Sequence, residues 1–468
     1  MFSRFSTSLA VCLAFIPLAI QGAATISIVN GDGAGVGFND PTPAAPVGGN
    51  PGTTLGQQRL NAFQAAANKW GATITSAPVI RVQATWEPLS CNANAAVLGS
   101  AGPQQIFRDF TGAPRTGTWF AVAEANAITG TTLTTTPAEI RARFNINLGQ
   151  PNCLTGVFFY LGLDNNHGNN VDLVTVLTHE FAHGLGFLSV TDATTGAFLA
   201  GFPGIWDWFL IDNTTNLLWK DMTDAQRAAS AINTGKLAWT GSNVNTNVPN
   251  VLGTPQLVVN SPAGVAGVYS VGPAVFGAPA GTINLTAEVM PVVDTAPNLG
   301  LACTPLNSLN TLAVSGKIAL VDRGTCGFAV KAKNVQNAGA LGLIVINNAA
   351  GPAPGLGGSD PTVTIPVYSV SQTDGNNLRN AIANRSRTHS GMFAKMFLNR
   401  SIPLGADPLG RMLMFAPNPF QPGSSVSHYD TTAYPNQLME PGINADLTHE
   451  VTVPFDLTYQ LLKDIGWL

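Results

Sequence analysis

Two histidines and a glutamate stand together in VDLVTVLTHEFAHGLGF, residues 171–187. His179 and His183 are at i and i+4. At 3.6 residues per turn both imidazoles leave one helical face, close enough to share a metal ion. Glu180 follows His179 directly and stands beside the open coordination position. This is the HExxH zinc pattern. Two neutral imidazoles and a third protein ligand hold Zn²⁺ and leave one position for water. The ion lowers the pKa of that water toward ~7 and polarises a carbonyl. A carboxylate at the place of Glu180 accepts the proton and returns it to a leaving amine.

Such a site needs rigid elements around it. Val171, Val174, Leu177 and Ala182 predict a buried helix side, with Asn169-Asn170 as N-caps and Gly184 and Gly186 as its end. Upstream, Thr25–Val29 predicts a short strand and Gly56–Trp70 a helix with Leu60, Phe63, Ala67 and Trp70 on one side. Val79–Trp86, Ala142–Leu148 and Gly156–Leu163 predict further strands. One of the last two is expected to bind substrate backbone by strand addition. The class is α+β, a sheet backed by helices.

The third ligand is not contiguous. No Glu lies between Glu180 and Glu288, which argues against a zinc layout with a Glu some way downstream. The contiguous metzincin form HExxHxxGxxH places its third His at position 189; Gly186 fits its Gly, but residue 189 is Ser. The six histidines are 167, 179, 183, 389, 428 and 449. Asp192 and Asp207 are weaker candidates. His449 precedes Glu450 without a matching context, and His167 and His389 read as loop residues. His428 lies in GSSVSHYDTTAYPNQLMEP, with Met439 eleven residues later. This segment resembles the end of a leishmanolysin-type metzincin. That resemblance implies that His428 is the third ligand and Met439 the methionine of the turn beneath the metal. FDLTYQLLKDIGWL at the C-terminus and GFNDPTPAAPVGGNPGTTLGQQRLNAF near the N-terminus resemble bacterial secreted members of the same clan. The implied fold is a zincin/metzincin-like catalytic domain, a twisted mixed sheet with an active-site helix. Tyr429 and Tyr434, close in sequence, are candidates for stabilising an oxyanion.

Between the halves of this site, charge almost disappears over residues 245–300. GKIALVDRGTCGF, AVKAKNVQNAGA and LGLIVINN then read as strand, turn, helix, strand. Ile318–Val321 and Leu343–Ile346 are expected as paired buried strands. With Gly316-Lys317, Asp322-Arg323-Gly324, Cys326, Phe328, Lys331 and Ala338-Gly339-Ala340, the segment resembles a protease-associated (PA) domain. The resemblance implies control of substrate access or binding of a partner protein, with no catalytic residue of its own. Asp322-Arg323 reads as a salt bridge or turn. The expected order is a signal peptide (1–24), the first part of a metallopeptidase domain (25–249), an inserted PA-type α/β domain (250–392), and the second part of the metallopeptidase domain (393–468).

Composition bounds the function. Residues 1–24 carry Arg4, a 12-residue apolar run from Leu9 to Ile20, and small residues where a signal peptidase cuts. Without Cys12 four cysteines remain, and export favours Cys91–Cys153 and Cys303–Cys326 disulfides, each within one domain. Lys+Arg is 22 and Asp+Glu 26, a net charge of −4, which argues against a nucleic-acid partner. No other apolar run is long enough for a membrane span. The Asn/Asp-rich loops offer oxygen ligands for Ca²⁺, but no EF-hand pattern supports it. The expectation is a secreted zinc metalloendopeptidase acting on protein or peptide, with one catalytic Zn²⁺. The alternatives are a secreted binding protein that uses its PA domain, with a structural or inactive zinc site, and a zinc hydrolase of a non-peptide bond.

Overall fold

The computed structural model describes residues 22–293 and 300–468. Residues 1–21 of the expected signal peptide lie outside that range. Ala23 bridges Thr75, and Ala24 is buried and donates to Ile74 O at 3.0 Å, so the fold begins before residue 25.

Thr54 caps the first helix, Leu55–Thr73, by accepting from the Gln57 backbone amide. Its buried residues include Phe63, Ala66, Ala67 and Trp70, the i, i+3, i+4, i+7 stripe of a helix laid on a core. Leu60, three residues before Phe63, stands at the margin of that stripe and is 41% exposed. Beneath the helix, Ile26–Asn30, Ile80–Glu87 and Ile140–Asn145 run parallel, and Gly99–Pro103 closes one edge antiparallel to Ile140–Asn145. Ile80, Val82, Ala84 and Trp86 alternate inward along their strand. Gly156–Leu163 forms only the short strand Phe159–Tyr160, paired with Val171–Asp172.

The histidine helix, Leu173–Gly184, packs on the same sheet. Its cap is Asp172, which accepts from the Thr175 amide at 2.7 Å, rather than Asn169 or Asn170. Asp172 stands immediately before the first helical residue, where a side-chain oxygen meets the free N–H groups. Trp70 Nε1 donates to Thr178 O at 2.9 Å and Trp467 Nε1 to Leu185 O at 2.8 Å, so two indoles pin the helix backbone. Phe63 sets its ring edge-on to Phe144 at 4.9 Å and Phe181 at 6.1 Å.

Residues after 411 return to this core. Met412, Met414, Tyr429, Met439, Leu461 and Leu462 pack in one cluster with residues 24–252. The closing helix is Thr458–Ile465. Residues 254–399 build a separate eight-stranded sheet, in the order Gly267–Ser270, Thr254–Ser261, Phe393–Asn399, Asn284–Pro291, Ile318–Asp322, Gly342–Ile346, Val367–Val370, Gly272–Pro273. Strand Phe393–Asn399 belongs to it, so this sheet runs past residue 392. Ile318–Asp322 and Gly342–Ile346 pair in parallel. Ala319, Val321, Leu343 and Val345 share one apolar cluster with Ala332 and Val335; Ile318, Leu320, Ile344 and Ile346 share another with Leu378. Burial on both faces is why these strands read as continuous apolar runs. Asp322 pairs with Arg379, while Arg323 donates to Asn347, so the adjacent Asp-Arg pair is not a salt bridge. The cysteines pair as Cys91–Cys153 and Cys303–Cys326.

Phe63 is fully buried between helix and sheet. Phe63→Ala should destabilise the protein by about 3–5 kcal/mol. Urea unfolding followed by tryptophan fluorescence measures it; a loss below about 1 kcal/mol would contradict this packing.

Candidate metal centre

His179 and His183 leave the histidine helix toward a third imidazole from far along the chain. His428 reaches them because its strand-like segment is tied down on both sides. Phe415 N donates to His428 O at 2.9 Å, and Met414 bridges Tyr429. Met414 N in turn donates to Leu237 O, and Trp239 N to Met412 O, which joins this segment to strand Leu237–Trp239. Trp206 Nε1 adds a bond to Val426 O at 3.3 Å.

The three Nε2 atoms converge. They stand 3.2 Å (179–183), 3.2 Å (183–428) and 3.3 Å (179–428) apart. Each Nδ1 faces a backbone carbonyl: Leu438 O at 2.7 Å, Phe187 O at 2.7 Å and Ser424 O at 2.8 Å, for His179, His183 and His428 in turn. A carbonyl only accepts, so each Nδ1 carries its ring's proton and each Nε2 presents a lone pair. Burial, with repulsion from His183, pushes His179 down to about 3; burial pushes His183 down to about 4. Burial and the other two imidazoles hold His428 well below the usual range. Three neutral rings thus aim three lone pairs at one point, and among the described residues no protein donor meets them. A cation resolves that. Nitrogens bound tetrahedrally to Zn²⁺ at 2.0–2.1 Å lie about 3.3 Å from one another, so the donor set fits zinc. Among the described residues this is the one group of three or more metal-ligating side chains within common reach; no carboxylate cluster offers a Ca²⁺ cage.

Glu180 is 8% exposed and turns toward the edge strand Gly99–Pro103. A Cβ on Gly99 would stand 2.9 Å from Phe144 and 3.2 Å from Glu180 Cγ, so only glycine lets the strand approach this closely. Burial pushes the Glu180 carboxyl up to about 8, with the Ala101 backbone amide drawing it down. A dication at the histidines favours its charged form. Among the described residues Gly99–Pro103 has a strand partner on one side only. Ile140–Asn145 is paired on both sides and cannot accept a further strand, which removes Ala142–Leu148 from the two strands expected for substrate; Gly156–Leu163 contributes only Phe159–Tyr160, paired with Val171–Asp172.

The remaining candidates are engaged elsewhere. Tyr429 is fully buried, its ring against Phe187 and its hydroxyl donating to Leu457 O at 3.1 Å, so it is not available to an oxyanion. Tyr434 lines a cavity beside the inserted sheet. Asp192 binds Thr194 in an exposed turn. Asp207 is buried, pushed up to about 6 by that burial, and accepts from Thr191 at 2.6 Å and the Gly204 amide. His449 Nε2 donates to Asp172 Oδ1 at 2.8 Å, at the start of the histidine helix. His167 faces Asn170 O, and His389 faces Glu288. Met439 is fully buried, one residue after the Leu438 carbonyl that orients His179. The three orienting carbonyls and Gly99 escaped sequence reading, since a backbone acceptor has no residue signature.

Comparisons with known proteins locate one part of the chain. Residues 285–378 match the PA domain family. Leucine aminopeptidase 2 of Arthroderma otae is 35% identical over 119 residues, 25% of this chain and 22% of that protein. ER degradation-enhancing alpha-mannosidase-like protein 3 of Xenopus laevis is 39% identical over 129 residues, 25% of this chain and 13% of that protein. The chain thus spans less than a quarter of either relative, and their names denote different activities. A zinc aminopeptidase structure from Bacillus subtilis aligns over 33% of this chain and 36% of its own, with 23% identity and a TM-score of 0.23. So low a score carries no argument about the metal centre. The chain contains a PA domain; the histidine trio is read from its own geometry.

Zinc added to metal-free protein should raise its stability, by about 2.7 kcal/mol at a hundredfold excess over Kd. Calorimetry of wild type and His428→Ala checks this. The gain should largely vanish in the variant; an equal gain in both would remove His428 from the centre.

Proposed function

We propose that this protein is an exported zinc metalloendopeptidase in which His179, His183 and His428 hold the ion and Glu180 is the general base and acid. The observation that carries the reading is the convergence of three buried, unprotonated Nε2 atoms beside a buried glutamate. When bound, zinc polarises a carbonyl and acidifies water toward a pKa of about 7. The chain's own residues do the rest. The three carbonyls fix ring tautomer and direction. Glu180, held against the edge strand at Gly99, takes a proton beside the histidines and delivers it to the leaving nitrogen. Gly99–Pro103 offers its free edge to an extended peptide.

The resemblance to leishmanolysin-type metzincins supports His428 as third ligand across the 245 residues that separate it from His183, and Met439 as the turn methionine. We place the split of the peptidase domain around an inserted PA-type domain whose sheet runs from Thr254 through Asn399, past the boundary expected at residue 392. We assign the PA domain to holding substrate or a partner protein. Two disulfides accord with an oxidising compartment and export. Among the described residues no helix is long and apolar enough to cross a membrane.

Glu180→Gln should lower kcat/KM on casein and N-acetylated peptides by about 10²–10⁴-fold while zinc content is unchanged. Mass spectrometry of the products locates the cuts. Internal cuts in blocked peptides support an endopeptidase. Release of single residues from free N-termini alone, or full activity in Glu180→Gln, would refute the assignment.

A further inference from the structure

The edge strand Gly99–Pro103 has two unlike faces. Gly99 and Ala101 pair with the buried Phe144 and Ala142, on the side that packs against Glu180. Ser100 and Gly102 pair with Arg143 and Arg141, on the opposite side. Paired residues of antiparallel strands carry their side chains on the same face. The two arginines therefore stand next to Ser100 and Gly102, and Arg143 Nη2 donates to Ser100 Oγ at 3.4 Å.

Three arginines share this outer face in a chain that is only 10% charged, and two of them are matched. Arg81 pairs with Glu139 at 2.7 Å, and Arg143 with Glu87 at 3.5 Å. The Arg141 side chain is exposed and has no ion pair or hydrogen bond among the described residues. Glu139, two residues before it, is already engaged: its carboxyl accepts from Arg81 Nε and Nη2 and from Thr134 Oγ1. One positive charge on this face is left unmatched. The space over Gly102 is open, since a Cβ built there would meet no atom within 4 Å.

A peptide added to the free edge runs about 4.8 Å beyond Gly102, and roughly 10 Å from the strand of Arg141. Its residue paired with Gly102 turns its side chain to the outer face. Gly102 puts no side chain between that residue and Arg141, so two long side chains can meet across it. A guanidinium takes a carboxylate in a forked pair of hydrogen bonds, and glutamate reaches farther than aspartate. Gly102 directly follows Ala101, whose amide draws on Glu180. The selected residue thus lies within about two positions of the cleaved bond. We propose that Arg141 is a specificity-determining residue that selects a glutamate side chain on the substrate residue paired with Gly102. This rests on the peptidase reading.

The test uses zinc-loaded protein and peptide sets that differ only by Glu, Gln or Lys at each position around one cut. At one position wild type should show kcat/KM about fivefold higher for Glu than for Gln, the scale of one exposed ion pair, and lowest for Lys. Arg141→Gln should bring the Glu/Gln ratio close to one. Arg141→Glu should make Lys the preferred residue at that same position. The Gln peptide should be cleaved at similar rates by wild type and both variants. No preference for Glu at any position, or an unchanged ratio in Arg141→Gln, overturns the assignment while leaving the peptidase intact. Cleavage of no peptide by wild type overturns the peptidase reading, and this assignment with it.

Discussion

Three imidazole lone pairs meet inside this molecule at separations of 3.2–3.3 Å. Each ring donates its Nδ1–H to a backbone carbonyl, so no Nε2 carries a proton with which to bond another. Like dipoles held this close in a site shielded from water repel. The surrounding structure must supply the force that keeps them there, and a cation turns the same geometry into attraction. Metal binding and folding are therefore linked. The three carbonyls come from the turn after the histidine helix, from the loop before His428, and from the residue before Met439. The centre thus fastens together segments that share no local contact in sequence.

The framework meets that demand with buried aromatics and backbone pairing. Trp70 and Trp467 bind the histidine helix from two sides, and Trp206 holds the segment before His428. An insertion between the two halves does little harm, because its ends are neighbours. Thr254 and Asn399 are paired across adjacent strands. The entropy of closing a loop grows only with the logarithm of its length, and here the insertion has its own core.

Elements with strong periodicity were legible in the sequence, and so was the metal pattern. Phe63, Ala67 and Trp70 on the first helix, the parallel strands of the PA domain and the i, i+4 histidines all follow from 3.6- or 2-residue repeats and continuous apolar runs. What escaped was set by tertiary contacts. Leu60 looked like part of the stripe but lies at its margin. Asn169 and Asn170 are good caps in type, yet Asp172 is the residue at the helix start. Tyr429 looked free for catalysis, but packing against Phe187 consumes it. The edge strand Gly99–Pro103 has almost no apolar pattern, being rich in glycine and small residues, and only the approach of Phe144 and Glu180 explains it. His428 was reached through resemblance rather than spacing, since nothing in local sequence says which distant histidine will arrive.

The most direct measurement is zinc-edge X-ray absorption on the zinc-loaded protein. Three imidazole nitrogens at 2.0–2.1 Å, no sulfur, and loss of one nitrogen in His428→Ala are predicted. Coordination by two imidazoles in the wild type, unchanged in His428→Ala, would contradict a three-histidine centre.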